Sequence, residues 1–322
     1  MKKVKKGEMK KVKKHRRWSK NDTELTVLAL PTAIWYVLFC FIPMFGLIIA
    51  FKNYRMTPGQ SFIENLFTSD WAGFKNFEFL IKSNDLVVIL RNTILYNLAF
   101  IVLGMVISVG LAIMISLIHS KRKSKVYQTL MFFPYFMSWV VVAYFLDAFL
   151  NQNNGLINSM LKEGGSEPVQ WYMTAGVWPA ILIFMYLWKS TGYNMVIYLA
   201  SISGIDTTLY EAAVVDGANK RQQVWYITLP CLKSVIIMMF ILNVGKVFYS
   251  DFGLFFQLSQ GARGSIFNTT ATIDTYVFNA LKSSTPIGMT AAATFFQSVA
   301  CCITILLANW IVKKIDEDSA II

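Results

Sequence analysis

EAAVVDGANKRQQVWYITLP, residues 211–230, is a polar island between two long apolar segments. Its spacing is Glu-Ala-Ala, three residues, Gly217, nine residues, then Ile-x-Leu-Pro. Asp206 or Thr208 can cap a helix here, and Thr208-Leu-Tyr-Glu211 fits a capping box, in which the glutamate reaches back to the cap N–H. The sequence therefore predicts a short helix running through EAAVVD. Ala212 and Ala213 present almost no side chain, so a partner surface can approach the backbone of that helix. Gly217 can adopt the left-handed conformation that ends a helix and turns the chain into a second helical stretch. Pro230 is expected at the start of the next apolar segment, where a missing N–H costs little. Glu211 and Asp216 can serve simply as a cap and a solvated charge.

Working outward, the 322 residues are 55% hydrophobic and 15% charged. Ordinary soluble domains carry about a quarter charged residues. The apolar residues come in blocks, and a spanning helix needs roughly 20 of them in succession. Six stretches qualify, at approximately 27–51, 93–118, 128–150, 175–200, 232–256 and 287–312. The expected fold class is an all-α integral membrane protein with six transmembrane helices. Residues 1–26 form a basic tail, 27–315 the membrane domain with its polar loop at 201–230, and 316–322 a C-terminal tail.

Net charge is +12. The sign alone would suit nucleic acid, but the distribution points to a lipid bilayer. With the N-terminus and all loops on its side placed inside, 20 Lys/Arg fall inside and 8 outside, leaving Lys189 and Lys246 within spans. Positive-inside bias thus places both termini and residues 201–230 in the cytoplasm. The run MKKVKKGEMKKVKKHRRWSK (1–20) is expected to be a disordered topology anchor beside anionic lipid. The apolar stretch after it is too long for a signal peptide and lacks a small-residue cleavage site. Cys40, Cys231, Cys301 and Cys302 lie in or beside spans, so no disulfide is expected. With no Cys/His cluster, no metal site is expected either.

Other segments carry local signals. Gly104, Ser108 and Ala112 recur at steps of four, a stripe that lets another helix approach closely. HSKRKSK (119–125) is a short basic turn that makes its flanking spans an antiparallel pair. The segment FIENLFTSDWAGFKNFEFL (62–80) suggests a short interfacial helix outside the membrane. Residues 151–174 and 257–286 form two more outer segments.

The 211–230 spacing resembles the cytoplasmic coupling loop, or EAA loop, in the permease subunit of type I ABC importers. RNTILYN (91–97), WKSTGYN (188–194), IDTYVF (273–278) and FFQSV (295–299) followed by LLANWIVKK resemble patterns of the carbohydrate branch. Within that branch the likeness is to permeases for complex oligosaccharides such as alginate or pectin fragments, and it covers roughly residues 27–315. Thr207 departs from the pattern, since relatives often carry proline after the aspartate. The resemblance implies a type I permease fold in the bacterial cytoplasmic membrane. It implies that Glu211, Ala212, Ala213, Asp216 and Gly217 dock an ATPase, with Glu211 and Asp216 meeting its basic groups. It also implies a five-part complex: a second, different permease, two ATPase subunits and an extracytoplasmic solute-binding protein. The chain has no GxxxxGK[ST] phosphate loop, so ATP and Mg belong to the partner ATPase and no cofactor to this chain.

Polar residues inside spans are candidates for a substrate path. Lys189 lies midway along the fourth span, with Tyr193 and Asn194 one turn on. In the fifth span Asn243, Lys246 and Ser250 are expected on one helical face, with Lys246 near the midplane. Gln297 lies about ten residues into the sixth. Trp188, Tyr193 and Phe248 could offer aromatic faces to sugars. For each, the alternative is polar glue or packing between helices. Two intramembrane lysines suggest an acidic cargo, unless either one pairs with a carbonyl, Asp147 or Asp251.

A secondary transporter or channel would want inverted repeats or midplane carboxylates, which are not evident here. A membrane enzyme would want a metal cluster, a nucleophile elbow or paired intramembrane carboxylates, and none occurs. Within the importer class, a peptide or amino acid is the alternative cargo.

Overall fold

The computed structural model describes residues 19–83, 85–283 and 285–315. The basic run before Ser19 and the tail after Ile315 lie outside the described residues. The chain divides into two compact units, residues 1–48 and 49–322.

In the first unit, α1 (Lys20–Tyr36) begins at a capping box between Ser19 and Asp22. A π turn, Val37–Phe41, follows and precedes Pro43 by two residues. Proline lacks an N–H and crowds the carbonyl four residues back. The wider turn, closed by the Ile42 N–H on the Val37 carbonyl, accommodates both defects. No residue of Lys20–Met44 is buried.

In the second unit two short helices, α2 (Phe62–Thr68) and α3 (Lys75–Lys82), fulfil the expectation of helical structure in the first outer segment. Ser61 and Glu64 form a capping box at the start of α2, and the Ser61 N–H and hydroxyl hold the Glu64 carboxyl below the usual range. The long helix α4 (Leu86–Ser116) is followed by α5 (Lys121–Phe132) and α6 (Trp139–Leu150). The expected third span is therefore broken, with its two arms, Lys121–Phe136 and Trp139–Leu150, bent by 96°. Pro134 sits in a 3-10 turn at the break, and the Ser138 hydroxyl caps α6 by accepting the Val141 N–H. Next come α7 (Leu156–Glu163) in the second outer segment and α8 (Trp178–Ser203).

After α8, α9 (Thr207–Val215) leads to α10 (Lys220–Val244), then α11 (Phe252–Leu258). Two expectations are corrected here. Pro230 does not open α10, because the helix starts ten residues earlier and a π turn at Val224–Thr228 accommodates the proline, as before Pro43. The expected fifth span is not one continuous helix to residue 256, because α10 ends at Val244. Lys246 and Ser250 thus lie beyond the helix and not on one face with Asn243. The chain closes with α12 (Phe267–Thr270), α13 (Ile273–Lys282) and α14 (Ile287–Ile315).

Among the described residues, four helices are long and apolar enough to cross a membrane: Lys20–Phe51, Leu86–Ser116, Lys220–Val244 and Ile287–Lys314. The bent pair has the length and composition for a fifth if its two arms together make one span. The 26-residue α8 has the length to span but carries Lys189, Ser190, Thr191 and Asn194 at its middle. Large apolar side chains are exposed along all of these helices. Such surface is out of place in water, where large apolar patches mark contact sites, but fits a hydrocarbon solvent.

The α4–α8 pair is the centre of the second unit. The small-residue stripe lies along it, with Gly104 against Leu187, and the Ser108 hydroxyl 3.4 Å from the Thr191 carbonyl. Gly192 of α8 meets the backbone of Met131 and Phe132 so closely that a Cβ there would clash. In lipid, where burial of apolar surface drives little, such close packing holds helices together. One core joins Tyr96, Phe100 and Trp178 to Leu146 of α6 and Phe255 of α11. A second joins Val109, Ala112, Met195 and Tyr198 to Leu232 of α10.

Candidate functional site

The loop between α8 and α10 is a pre-organised helical hairpin. Its cap is Asp206, whose carboxylate accepts the Thr208 N–H at 3.0 Å and is held below its usual range by that bond. Glu211 does not form the expected capping box, so its carboxylate is left at the surface. The C-terminus of α9 closes as a Schellman motif. The Ala218 N–H donates to the Ala213 carbonyl at 2.8 Å, and the Gly217 N–H to the Val214 carbonyl at 3.0 Å. Gly217 has φ +80°, the left-handed conformation expected of it. Asn219 and Gln222 then cap α10 reciprocally, at 3.0 and 2.8 Å. Tyr210 and Thr228 join hydroxyls at 2.9 Å, tying the two arms together.

On the outer side of this hairpin Glu211, Ala212 and Asp216 are exposed and Ala213 is half-buried. Val215 is 87% exposed. An exposed apolar side chain thus stands between two acidic groups, beside two alanines that leave the backbone open.

The second constellation surrounds the end of α10. The non-helical stretch from Gly245 to Ser250 presents backbone groups without a helix to satisfy them, and side chains from three helices bind them instead, two by donating to carbonyls and one by accepting an N–H. Asn97 of α4 donates to the Val247 and Tyr249 carbonyls at 3.0 and 2.9 Å. Gln297 of α14 donates to the Phe248 carbonyl at 3.0 Å. Asp274 of α13 accepts the Ser250 N–H and hydroxyl, both at 2.7 Å. Irregular backbone at membrane depth survives only where protein or a wet cavity satisfies it.

The segment RNTILYN explains itself here. Arg91 and Asn92 donate to the Asn268 carbonyl at 2.8 and 3.1 Å, and Asn92 also to Ala271 at 2.9 Å. Thr93 accepts the Ile273 N–H at 3.1 Å, and the Tyr96 hydroxyl donates to the Thr269 carbonyl at 2.6 Å. With Asn97, every polar side chain of the run clamps backbone between 247 and 273. Residue type and turn spacing on one helix hinted at such a clamp, but its target lies about 150 to 180 residues away.

The sequence-derived path residues separate into two kinds. Gln297 is 1% exposed and serves as a backbone latch. Lys189 takes the carbonyl alternative, with Nζ donating to Tyr135 at 2.8 Å across the α5–α6 break and resting 5.2 Å from the Tyr135 and Trp139 rings. Tyr193 stacks on Tyr135 at 4.5 Å, and Trp139 donates to the Asp251 carboxylate at 2.8 Å. Asn243 bonds its own helix at Met239, while Lys246 is exposed beyond it. Asn194 is half-buried. Trp188 lines a groove of about 620 Å³ whose other walls, such as Phe133, Phe149 and Phe184, are apolar.

The geometry thus combines an exposed, braced hairpin after α8 with an irregular backbone after α10 that side chains of other helices latch. The chain belongs to the family of binding-protein-dependent transport system inner membrane components, whose pattern matches residues 118–317. It is an integral membrane permease subunit of an ABC importer, not its enzyme. It is 30% identical over 294 residues to the polygalacturonan/rhamnogalacturonan transport system permease protein YteP of Bacillus subtilis, covering 91% of this chain and 89% of that one. It is 27% identical to the diacetylchitobiose uptake system permease protein NgcF of Streptomyces coelicolor, over 88% and 79% of the two chains. A crystal structure of a bacterial ABC transporter that imports the acidic polysaccharide alginate contains a chain of the same fold. The TM-score is 0.80 at 30% identity, covering 92% of this chain and 97% of that one.

Proposed function

We propose that this chain forms half of the transmembrane pathway of an oligosaccharide importer in the bacterial cytoplasmic membrane. A second, different permease completes the pathway, two ATPases drive it and a solute-binding protein feeds it. The observation that carries the reading is the exposed, internally braced hairpin of α9 and the start of α10. A lever must be stiff to transmit work, and this one is fixed by caps at each end and by the Tyr210–Thr228 tie. ATP and Mg bind the partner, whose closing cleft moves Glu211, Ala212, Ala213, Asp216 and Gly217 and rocks the spans between two states.

Residues 27–315 act as one six-span domain, with α8 as a polar span facing protein, and both termini are cytoplasmic. The apolar groove at Trp188 suits lipid chains or the second permease. The carbohydrate cargo is supported by the relatives named for polygalacturonan/rhamnogalacturonan transport and for diacetylchitobiose uptake. Lys189 is held against the Tyr135 carbonyl, whereas Lys246 is exposed and is the lysine more open to an acidic cargo.

The test is to screen neutral and uronate oligosaccharides for thermal stabilisation of the cognate binding protein, then to measure their ATP-driven uptake by the reconstituted complex. Stabilisation and uptake of oligosaccharides support the proposal. Stabilisation by peptides or amino acids alone would overturn the cargo.

A further inference from the structure

A cavity of about 330 Å³ lies between α6, α11 and the turn at Trp171–Met173. It is small for a ligand site, at the lower end of the roughly 300–1,000 Å³ such sites occupy. Its lining differs from that of the greasy groove at Trp188. Tyr144, Tyr172 and Phe256 offer aromatic surface, and Asp147, Gln257 and Gln260 offer hydrogen-bonding groups.

The aromatic side of the cavity is rigid. Phe256 stacks on Phe252 at 4.9 Å and meets Phe278 edge-on at 4.8 Å, with the Lys282 ammonium 5.6 Å from its ring. Tyr144 stands 74% exposed, with its ring available. Burial and the nearby Asp147 push the Tyr172 phenol up to about 12, so it remains a neutral hydrogen-bonding group.

The polar side is held in place by an unusual backbone. Gln260, Gly261 and Ala262 all have positive φ, at 54°, 98° and 52°. Non-glycine residues rarely adopt this conformation, and it persists only where surroundings enforce it. Here the Gly261 N–H donates to the Phe256 carbonyl, the Ala262 N–H to the Ser259 hydroxyl, and Asn279 to the Gly261 carbonyl, each at 2.8 Å. The result carries Gln260 to the cavity wall, where its side chain bonds Tyr172.

Aromatic faces beside fixed amides and a carboxylate form the chemistry that recognises a sugar ring. The C–H face of the ring packs on the aromatics, and its hydroxyls bridge to the polar side chains. We infer that this cavity is a saccharide subsite holding one pyranose ring of the incoming chain at the outer end of the pathway. Asp147 accepts from hydroxyls and repels a carboxylate, so the ring presents hydroxyls to it, while acidic groups elsewhere on the chain remain for Lys246. This inference rests on the oligosaccharide-importer reading.

The test uses the complete complex in proteoliposomes with its binding protein, and measures KM for uptake of a neutral and a uronate pentasaccharide. Tyr144→Ala and Gln257→Ala are expected to raise KM about fivefold, the loss of a single contact or hydrogen bond. Tyr144→Phe, which keeps the ring face, should raise KM less than Tyr144→Ala. KM within twofold of wild type for both truncations, in a complex that does import oligosaccharide, overturns the subsite alone. Wild-type complex that imports neither sugar overturns the importer reading and the subsite with it.

Discussion

Gly217→Ala isolates the contribution of one backbone conformation to the hairpin between α9 and α10. A Cβ at Gly217 would meet nothing within 4 Å, so the substitution creates no clash. What it adds is the strain of φ +80° on a residue with a side chain, about 1–2 kcal/mol. The stiffer unfolded chain returns a few tenths to about 1 kcal/mol. The net cost is about 1 kcal/mol, or about fivefold in the local opening equilibrium. The assay is amide hydrogen exchange at Asp216, Gly217 and Ala218, whose N–H groups bond to Ala212, Val214 and Ala213. Those amides should exchange about fivefold faster, while amides in α4 and α8 are unchanged. Gly217→Asn should lie between Ala and wild type, because asparagine tolerates the left-handed region. Unchanged exchange in Gly217→Ala, or equal acceleration throughout α8, would refute a strained, locally closed Schellman turn.

Other outcomes follow from the same geometry. Asn97→Ala strands the Val247 and Tyr249 carbonyls and should lower stability in detergent by roughly 1–3 kcal/mol, measured as a fall in Tm; no change would mean that water replaces the side chain. Gly192→Ala should prevent α8 from packing on Met131 and abolish a monodisperse preparation, whereas Gly110→Ala, with open space around it, should leave Tm unchanged or higher. Lys246→Gln should reduce uptake of uronate oligosaccharides more than neutral ones; equal loss for both would remove the role in charge compensation. Tyr172 is raised from 10.0 to about 12, so the stability tied to its neutral phenol is fully present below pH 10 and is lost as pH rises from 10 to 12. Ultraviolet titration of wild type against Tyr172→Phe reads this directly, and a phenolate forming near pH 10 would contradict it.

Much of the α9–α10 hairpin could be read from the sequence because its determinants are local. Gly217, Asn219 and Asp206 each act within three residues of themselves, and the small-residue stripe on α4 needs only helical periodicity. The end of α10 could not be read that way. GKVFYSD, residues 245–251, is largely apolar or aromatic and continues the preceding block. Its break is stabilised by Asn97, Asp274 and Gln297, which are remote in sequence. The bend at Pro134 was hidden for the same reason, because Lys189 supplies the Tyr135 carbonyl from another helix. Sequence periodicity marked Lys189, Asn243 and Gln297 as polar residues out of place. It could not distinguish a backbone latch from a group open to cargo.

The proposed function places a docking surface for a separate ATPase on residues 207–220. The most direct measurement is co-purification of that ATPase with tagged wild-type permease and with Glu211→Arg, whose charge reversal falls on the exposed face. The wild-type chain should retain the ATPase and the variant should lose it, with hydrogen exchange of α4 and α8 unaltered in both. Equal retention by both proteins, or no ATPase bound to either, would rule out ATPase docking at this hairpin.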